Sequence, residues 1–246
     1  MAMIRKKLLF AFLLLGIVFG LESCLDGDNV SSFRSAAVIV DNHTTGGVVM
    51  SIPYYGLVSV PSLQNKLSDG DCIYASYTIN FDKQPTSDRV TVTDVEYLLL
   101  PKRGVRMDSG DMINEYNDSI LGVQLSSSLS FYGNLFVQAV QQGRSGQEYE
   151  LELICNPDSI DANGVNTVFL KSKAIKSGSG DNLVDIGTME AFDLNPLISA
   201  YGKDTIVSDQ RCKVLSLNFK YQISDEEGVP VYHLFNNGAI EVMVAR

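Results

Sequence analysis

Cys72-Ile73-Tyr74-Ala75-Ser76-Tyr77-Thr78-Ile79-Asn80-Phe81 decides the reading of this chain, because apolar and polar side chains alternate along it. A strand turns successive side chains to opposite faces. Ile73, Ala75, Tyr77, Ile79 and Phe81 therefore share one face and predict a half-buried strand. Upstream of it, Leu67-Ser68-Asp69-Gly70-Asp71 has turn chemistry. Tyr55 to Val60 is a strand candidate stopped by Pro61, and Val48 to Ile52 is another. Asp41-Asn42-His43-Thr44-Thr45-Gly46-Gly47 separates these from a short apolar run, Ala36 to Val40, and Gly46-Gly47 suits a hairpin. Downstream, Thr86-Ser87-Asp88-Arg89 ends the run and Val90 to Leu100 resumes it. Five strand candidates in roughly 70 residues have the density of a small OB-type barrel, placed at residues 33–101.

Pro101 to Gly110 is polar and carries both Pro and Gly. Residues 102–118 therefore read as a linker, with a short helix or extended chain at 111–118. Beyond it, Glu148 to Cys155 alternates strictly, with Tyr149, Leu151 and Leu153 on one face and Glu148, Glu150 and Glu152 on the other. Leu129 to Val140, Thr167 to Ala174, Gly187 to Leu194, Val214 to Tyr221, Val229 to Leu234 and Ala239 to Val244 are further strand candidates. Turns are expected at Gln141 to Gln147 and Asp158 to Asn163, and a flexible loop at Lys176 to Asn182. Such spacing predicts a β-sandwich over residues 119–246. Past residue 22 the only other stretch that could be helical is 194–201. The fold class is all-β: an N-terminal OB-like small barrel followed by a C-terminal sandwich.

The amino terminus carries an address. Arg5, Lys6 and Lys7 precede a 14-residue apolar run, Leu8 to Leu21. That run is short of the ~20 residues a membrane-spanning helix needs, and a basic start with a short apolar core marks a secretory signal peptide, residues 1–23. The run ends in Leu21-Glu22-Ser23-Cys24, which resembles the bacterial lipobox. The resemblance implies lipidation of Cys24, cleavage just before it and anchoring of the chain by acyl chains. Residues 24–32 are a polar, acidic tether with Asp26 and Asp28. An Asp directly after the cysteine would resemble an inner-membrane retention signal; Leu25 holds that place, so the outer membrane is the expected destination. Asp26 and Asp28 resemble the acidic export signals of surface lipoproteins, which implies the cell surface slightly over the periplasm.

Signal, lipobox, tether, the Leu67-to-Thr78 unit and the later runs Tyr149 to Leu153, Val168 to Ala174 and Met189 to Leu194 together resemble the NigD-like lipoproteins. The resemblance spans most of the chain after the signal. It implies an N-terminal OB-like domain, a C-terminal sandwich and no defined enzymatic activity. The tether is less acidic than is common in that family, and the Arg and His often found around residues 170–174 are missing.

Little in the sequence points to chemistry. Histidine occurs only at His43 and His233 and tryptophan not at all, and the formal net charge is −10. No H-x-x-x-H, Cys/His cluster or G-x-S-x-G is present, so the expectation is no catalysis, no metal and no cofactor. A negative chain grips phosphate backbones poorly, so nucleic acid is not an expected partner. Asp69-Gly70-Asp71, Asp108 to Asp111 and Asp225-Glu226-Glu227 match ordinary turns better than calcium loops. Cys72, Cys155 and Cys212 each lie in a strand-like run. They read as buried thiols, with one disulfide, such as Cys155 to Cys212, left open. The binding candidates are aromatic: Tyr54 and Tyr55 after Pro53, with Phe131-Tyr132 before Gly133 as a similar pattern. Exposed rings on an OB-like domain can stack on a sugar or a peptide. The expected role is binding or structural support at the outer membrane, with a glycan or an envelope protein as partner. The competing class is a carbohydrate-active enzyme or a glycan-capture accessory.

Overall fold

The computed structural model describes residues 29–42, 47–64, 66–84, 89–108, 118–127, 131–158, 160–161, 164–207, 209–226 and 229–245. The signal peptide, Cys24 and His43 lie outside the described residues, as does most of the 111–118 stretch. The chain divides into two compact units, with the boundary between Leu99 and Leu100. Both are built from strands.

The first unit is a six-stranded sheet. Its strands are β1 (Val30–Asp41), β2 (Val48–Ile52), β3 (Gly56–Val60), β4 (Cys72–Asn80), β5 (Val90–Thr91) and β6 (Thr93–Leu99). The order across the sheet is β5-β3-β2-β1-β4-β6. The alternating face of β4 is the core face: Ile73, Ala75, Tyr77 and Ile79 are buried with Ile39, Met50, Ile52 and Val58. Each fully buried Ile, Met or Val side chain is worth about 1.5–3 kcal/mol, and together they form one apolar core for the unit. β1 begins at Val30, inside the stretch read as tether. The reason is register: β1 pairs antiparallel with β4 from Val30↔Asn80 to Val38↔Cys72, and backbone hydrogen bonds carry the strand beyond its apolar part.

The second unit is a sandwich of two sheets. Its strands are β7 (Lys102–Gly104), β8 (Arg106–Met107), β9 (Ile120–Ser126), β10 (Asn134–Ser145), β11 (Glu148–Cys155), β12 (Asn166–Lys176), β13 (Ser179–Asp193), β14 (Lys203–Val207), β15 (Gln210–Glu226), β16 (Val229–Leu234) and β17 (Ile240–Ala245). One sheet runs β7-β13-β10-β9; the other runs β14-β15-β12-β11-β8, with β16 and β17 also pairing β15. Leu135, Val137 and Ala139 of β10 meet Leu151, Leu153, Val168, Leu170, Leu217 and Phe219 of the facing sheet in one core. Among the described residues there is one α-helix, α1 (Asn195–Tyr201), which has a proline in its first turn and buries Leu197 and Ile198. It fills the 194–201 stretch where the sequence allows a helix.

Three local expectations differ from the structure. Residues 102–118, read as linker, open with β7 and β8, which pair in parallel with β13 and β11. Gln141 to Gln147, read as a turn, is strand as far as Ser145, because β10 pairs β13 along Gln141↔Ile186 to Arg144↔Leu183. The loop read at 176–182 is already strand from Ser179 for the same reason. In each case long-range pairing overrides local Gly and polar content. Cys72, Cys155 and Cys212 are buried thiols, with no disulfide among them.

Candidate functional site

The turn between β2 and β3 carries the aromatic pair. The Tyr55 N–H donates to the Pro53 carbonyl at 2.8 Å, and Tyr54 between them has φ +67°. A three-residue turn with positive φ at its centre is rare and strained, at about 1–3 kcal/mol. Pro53 fixes the entry to it, and Gly56, at φ +68°, lets the chain leave. The result is that the Tyr54 side chain is fully exposed, at 102% of its reference area, while Tyr55 is exposed to 36%.

Tyr55 is held from below. Its ring meets Phe33 edge-on at 5.5 Å and lies tilted over Phe81 at 6.2 Å. Phe33 in turn stacks on Tyr77 at 5.7 Å, and the Tyr77 and Ser35 hydroxyls lie 3.2 Å apart in a hydrogen bond. Burial pushes the Tyr77 phenol up, against the pull of that hydroxyl. Ring pairs of this kind are worth about 0.5–1.5 kcal/mol each beyond their area. The site is thus an aromatic platform, Phe33–Tyr77–Phe81, capped by Tyr55, with Tyr54 projecting beside it. It presents aromatic ring surface and the Tyr54 hydroxyl to solvent.

The platform's other members were not legible. Phe81 lies on the apolar face of the deciding stretch, but that Tyr55 meets both it and Phe33 depends on the β1–β4 register, which no local pattern encodes. The second aromatic candidate is different. Phe131 is buried against Phe136 at 4.7 Å, and only Tyr132 reaches the surface.

Elsewhere the ionisable residues serve the fold. Asp69 accepts the Asn42 N–H at 2.8 Å and Asp71 accepts the Ser68 N–H at 2.8 Å, so this carboxylate pair braces a turn. His233 is exposed and meets Tyr221 edge-on at 5.3 Å. The glutamates of β11 are all in ion pairs: Glu148 with Lys176, Glu150 with Arg103 and Glu152 with Arg106 at 3.3 Å. Arg103 joins the two sheets by bonding Glu190 at 2.5 Å and Glu150 at 3.1 Å. Glu190 is buried, and its second oxygen takes the Leu151 N–H at 3.1 Å. Burial raises its pKa; the Leu151 N–H and Arg103 pull the other way. Burial likewise raises the Cys155 thiol. Among the described residues no group of three His, Cys, Asp or Glu gathers as a metal site. Two surface depressions, of about 320 and 250 Å³, are lined by Arg144, Gln147 and Lys176 and by Asp204, Ile206 and Arg211 respectively. Neither contains an aromatic ring.

Comparisons with known proteins agree with this architecture. Residues 27–89 match the family model of a lipoprotein OB domain. No curated protein sequence matches the chain. An uncharacterized protein from Parabacteroides merdae ATCC 43184 is 16% identical, with a TM-score of 0.60 over 87% of this chain and 98% of that one. A lipoprotein candidate from Bacteroides fragilis NCTC 9343 is 10% identical, with a TM-score of 0.51 over 87% and 98%. A NigD-like immunity protein from Bacteroides caccae ATCC 43185 is 13% identical, with a TM-score of 0.49 over 88% and 98%. At these identities the first two show a shared fold and nothing more. The match to a lipoprotein OB domain bears out the OB-like part of the resemblance read from the sequence, over residues 27–89.

Proposed function

We propose that this chain, whose residues 27–89 match a lipoprotein OB domain, is a NigD-like lipoprotein and a non-enzymatic contact protein of the cell envelope. The anchor is Cys24, lipidated after removal of residues 1–23, and the destination is the outer membrane. Asp26 and Asp28 favour its outer face. The OB domain supplies the contact element, the Tyr54–Tyr55 tip. One observation carries the reading: the β2–β3 turn holds strained backbone and leaves Tyr54 with its ring wholly in solvent. A folded chain retains such strain where the surrounding structure over-determines it, and function is a common reason. A net charge of −10 disfavours nucleic acid and suits a neutral or cationic partner.

The anchor is tested by Cys24→Ala in a cell that lipidates exported proteins. The substitution should abolish acyl labelling and move the protein from the membrane to the soluble fraction. A variant that stays labelled and membrane-bound contradicts the anchor. Stable attachment requires more than one acyl chain, since each buried methylene contributes only about 0.8 kcal/mol.

A further inference from the structure

We propose that the Tyr54–Tyr55 tip seats in the interface of the very bilayer to which the chain is anchored, so that its partner is a lipid surface. This rests on the Cys24 anchor. The tether enters the fold at the platform: the Asn29 N–H donates to Asp82 Oδ2 at 2.9 Å, and the Asn29 carbonyl accepts the Phe81 N–H at 2.8 Å. Phe81 is the residue whose ring lies 6.2 Å from Tyr55. Cys24 stands five residues before Asn29. At no more than ~3.6 Å per residue, it lies within about 18 Å of that point however the tether runs.

The opposite end of the unit is out of that reach. β1 spans 12 residues from Val30, beside Asn29, to Asp41, a distance on the order of 30 Å. There the Asn42 side-chain amide donates to the Leu67 carbonyl at 2.8 Å, and Lys66 next to it is exposed. A lipid anchor on so short a leash holds the aromatic end, not the Lys66 end, toward the membrane. Tyrosine is enriched at the headgroup level, where its ring meets acyl chain and its hydroxyl stays wet. Tyr54 offers such a ring with no competing protein contact, and Tyr55, Phe33 and Phe81 form a firm base beneath it. The contact depends on ring burial rather than charge, so it is only weakly salt-dependent.

The chain contains no tryptophan, so Tyr54→Trp introduces the sole indole fluorophore, and Lys66→Trp does so at the far end. Each full-length, lipidated variant is reconstituted in zwitterionic phosphatidylethanolamine–phosphatidylcholine vesicles, whose neutral surface does not repel a chain of net charge −10. The lipids carry bromine either near the ester carbonyls or near the bilayer centre. The expected result is a blue shift of the Tyr54→Trp emission on vesicle binding and quenching several-fold stronger by shallow bromine than by deep. Lys66→Trp should show neither. If both variants float with the vesicles and Tyr54→Trp emission is unshifted and unquenched, the proposal is overturned while the anchor stands. If neither floats and no acyl label is found, the anchor fails and the proposal with it. A Tyr54→Trp emission that responds to envelope glycans or a co-purified envelope protein and not to lipid assigns the tip to that partner and also overturns the proposal.

Discussion

Two turns of this chain carry the same signal, adjacent aromatic residues closed by a glycine, and they are put to opposite uses. In Phe131-Tyr132-Gly133 the first ring is core, at 2% exposure against Phe136. The backbone is locked from outside, since the Asn195 side-chain amide donates to the Tyr132 carbonyl at 3.0 Å. In Pro53-Tyr54-Tyr55-Gly56 the first ring is in solvent and the second rests on a platform. Both place a tyrosine at positive φ, Tyr54 at +67° and Tyr132 at +51°. The difference lies in what surrounds the turn. One is enclosed by Asn195 at the start of α1, and the other ends a hairpin where, among the described residues, Tyr54 stands wholly in solvent.

Truncation of the packed ring should have the largest effect. Phe131→Ala removes a buried phenylalanine and should cost about 3–5 kcal/mol, read as a lower urea midpoint with unchanged slope. Tyr54→Ala should stay within about 0.5 kcal/mol of the parent. Comparable losses at the two positions would erase the distinction.

The glycines sharpen it. Gly56 and Gly133 both have positive φ, so alanine at either costs roughly 1–2 kcal/mol for the left-handed backbone. A Cβ on Gly56 meets nothing within 4 Å, whereas one on Gly133 falls 2.4 Å from the Asn195 side-chain oxygen. Gly133→Ala should therefore lower thermal stability clearly more than Gly56→Ala. Tyr55→Ala should fall between Tyr54→Ala and Phe131→Ala, at about 1–3 kcal/mol, because it loses two ring contacts. The pair is not one exposed unit, and a double alanine variant at positions 54 and 55 should take its stability loss from Tyr55 alone.

Acid separates the units by another route. Glu190, in the second unit, has its folded pKa raised by burial. Its stabilising contribution is then fully present below the ordinary carboxylate range and is lost as pH rises through the raised value. The stability difference between the parent and Glu190→Gln should therefore shift in favour of the parent on moving from neutral to mildly acid pH. Denaturation midpoints across that range check it, and Tyr54→Ala should leave the profile unchanged. An opposite slope would mean that Arg103 outweighs burial.

The fold was legible where the pattern was local. Alternation in Cys72 to Phe81 and Glu148 to Cys155 marked core strands, and the core face of each is the apolar one. Strand ends were not legible where pairing extends them: β10 through Ser145, β13 from Ser179 and β15 across Gln210–Glu226 all run beyond their apolar centres. At the site, Tyr54 and Tyr55 could be named from Pro, Gly and ring chemistry. That Tyr55 is a base and Tyr54 a tip could not, because it follows from Phe33 and Phe81 being brought together by the β1–β4 register. Arg103, Glu150 and Glu190 were illegible for the same reason: three strands supply them.

Tyrosine nitration of the lipidated chain in vesicles, set beside the soluble Cys24→Ala chain and mapped by mass spectrometry, reads the central claim directly. Tyr74, 38% exposed on β4, is the internal reference. The account predicts that Tyr54 is modified readily in the soluble chain and is strongly protected relative to Tyr74 once the chain is anchored. Equal Tyr54 reactivity in the two forms would contradict it.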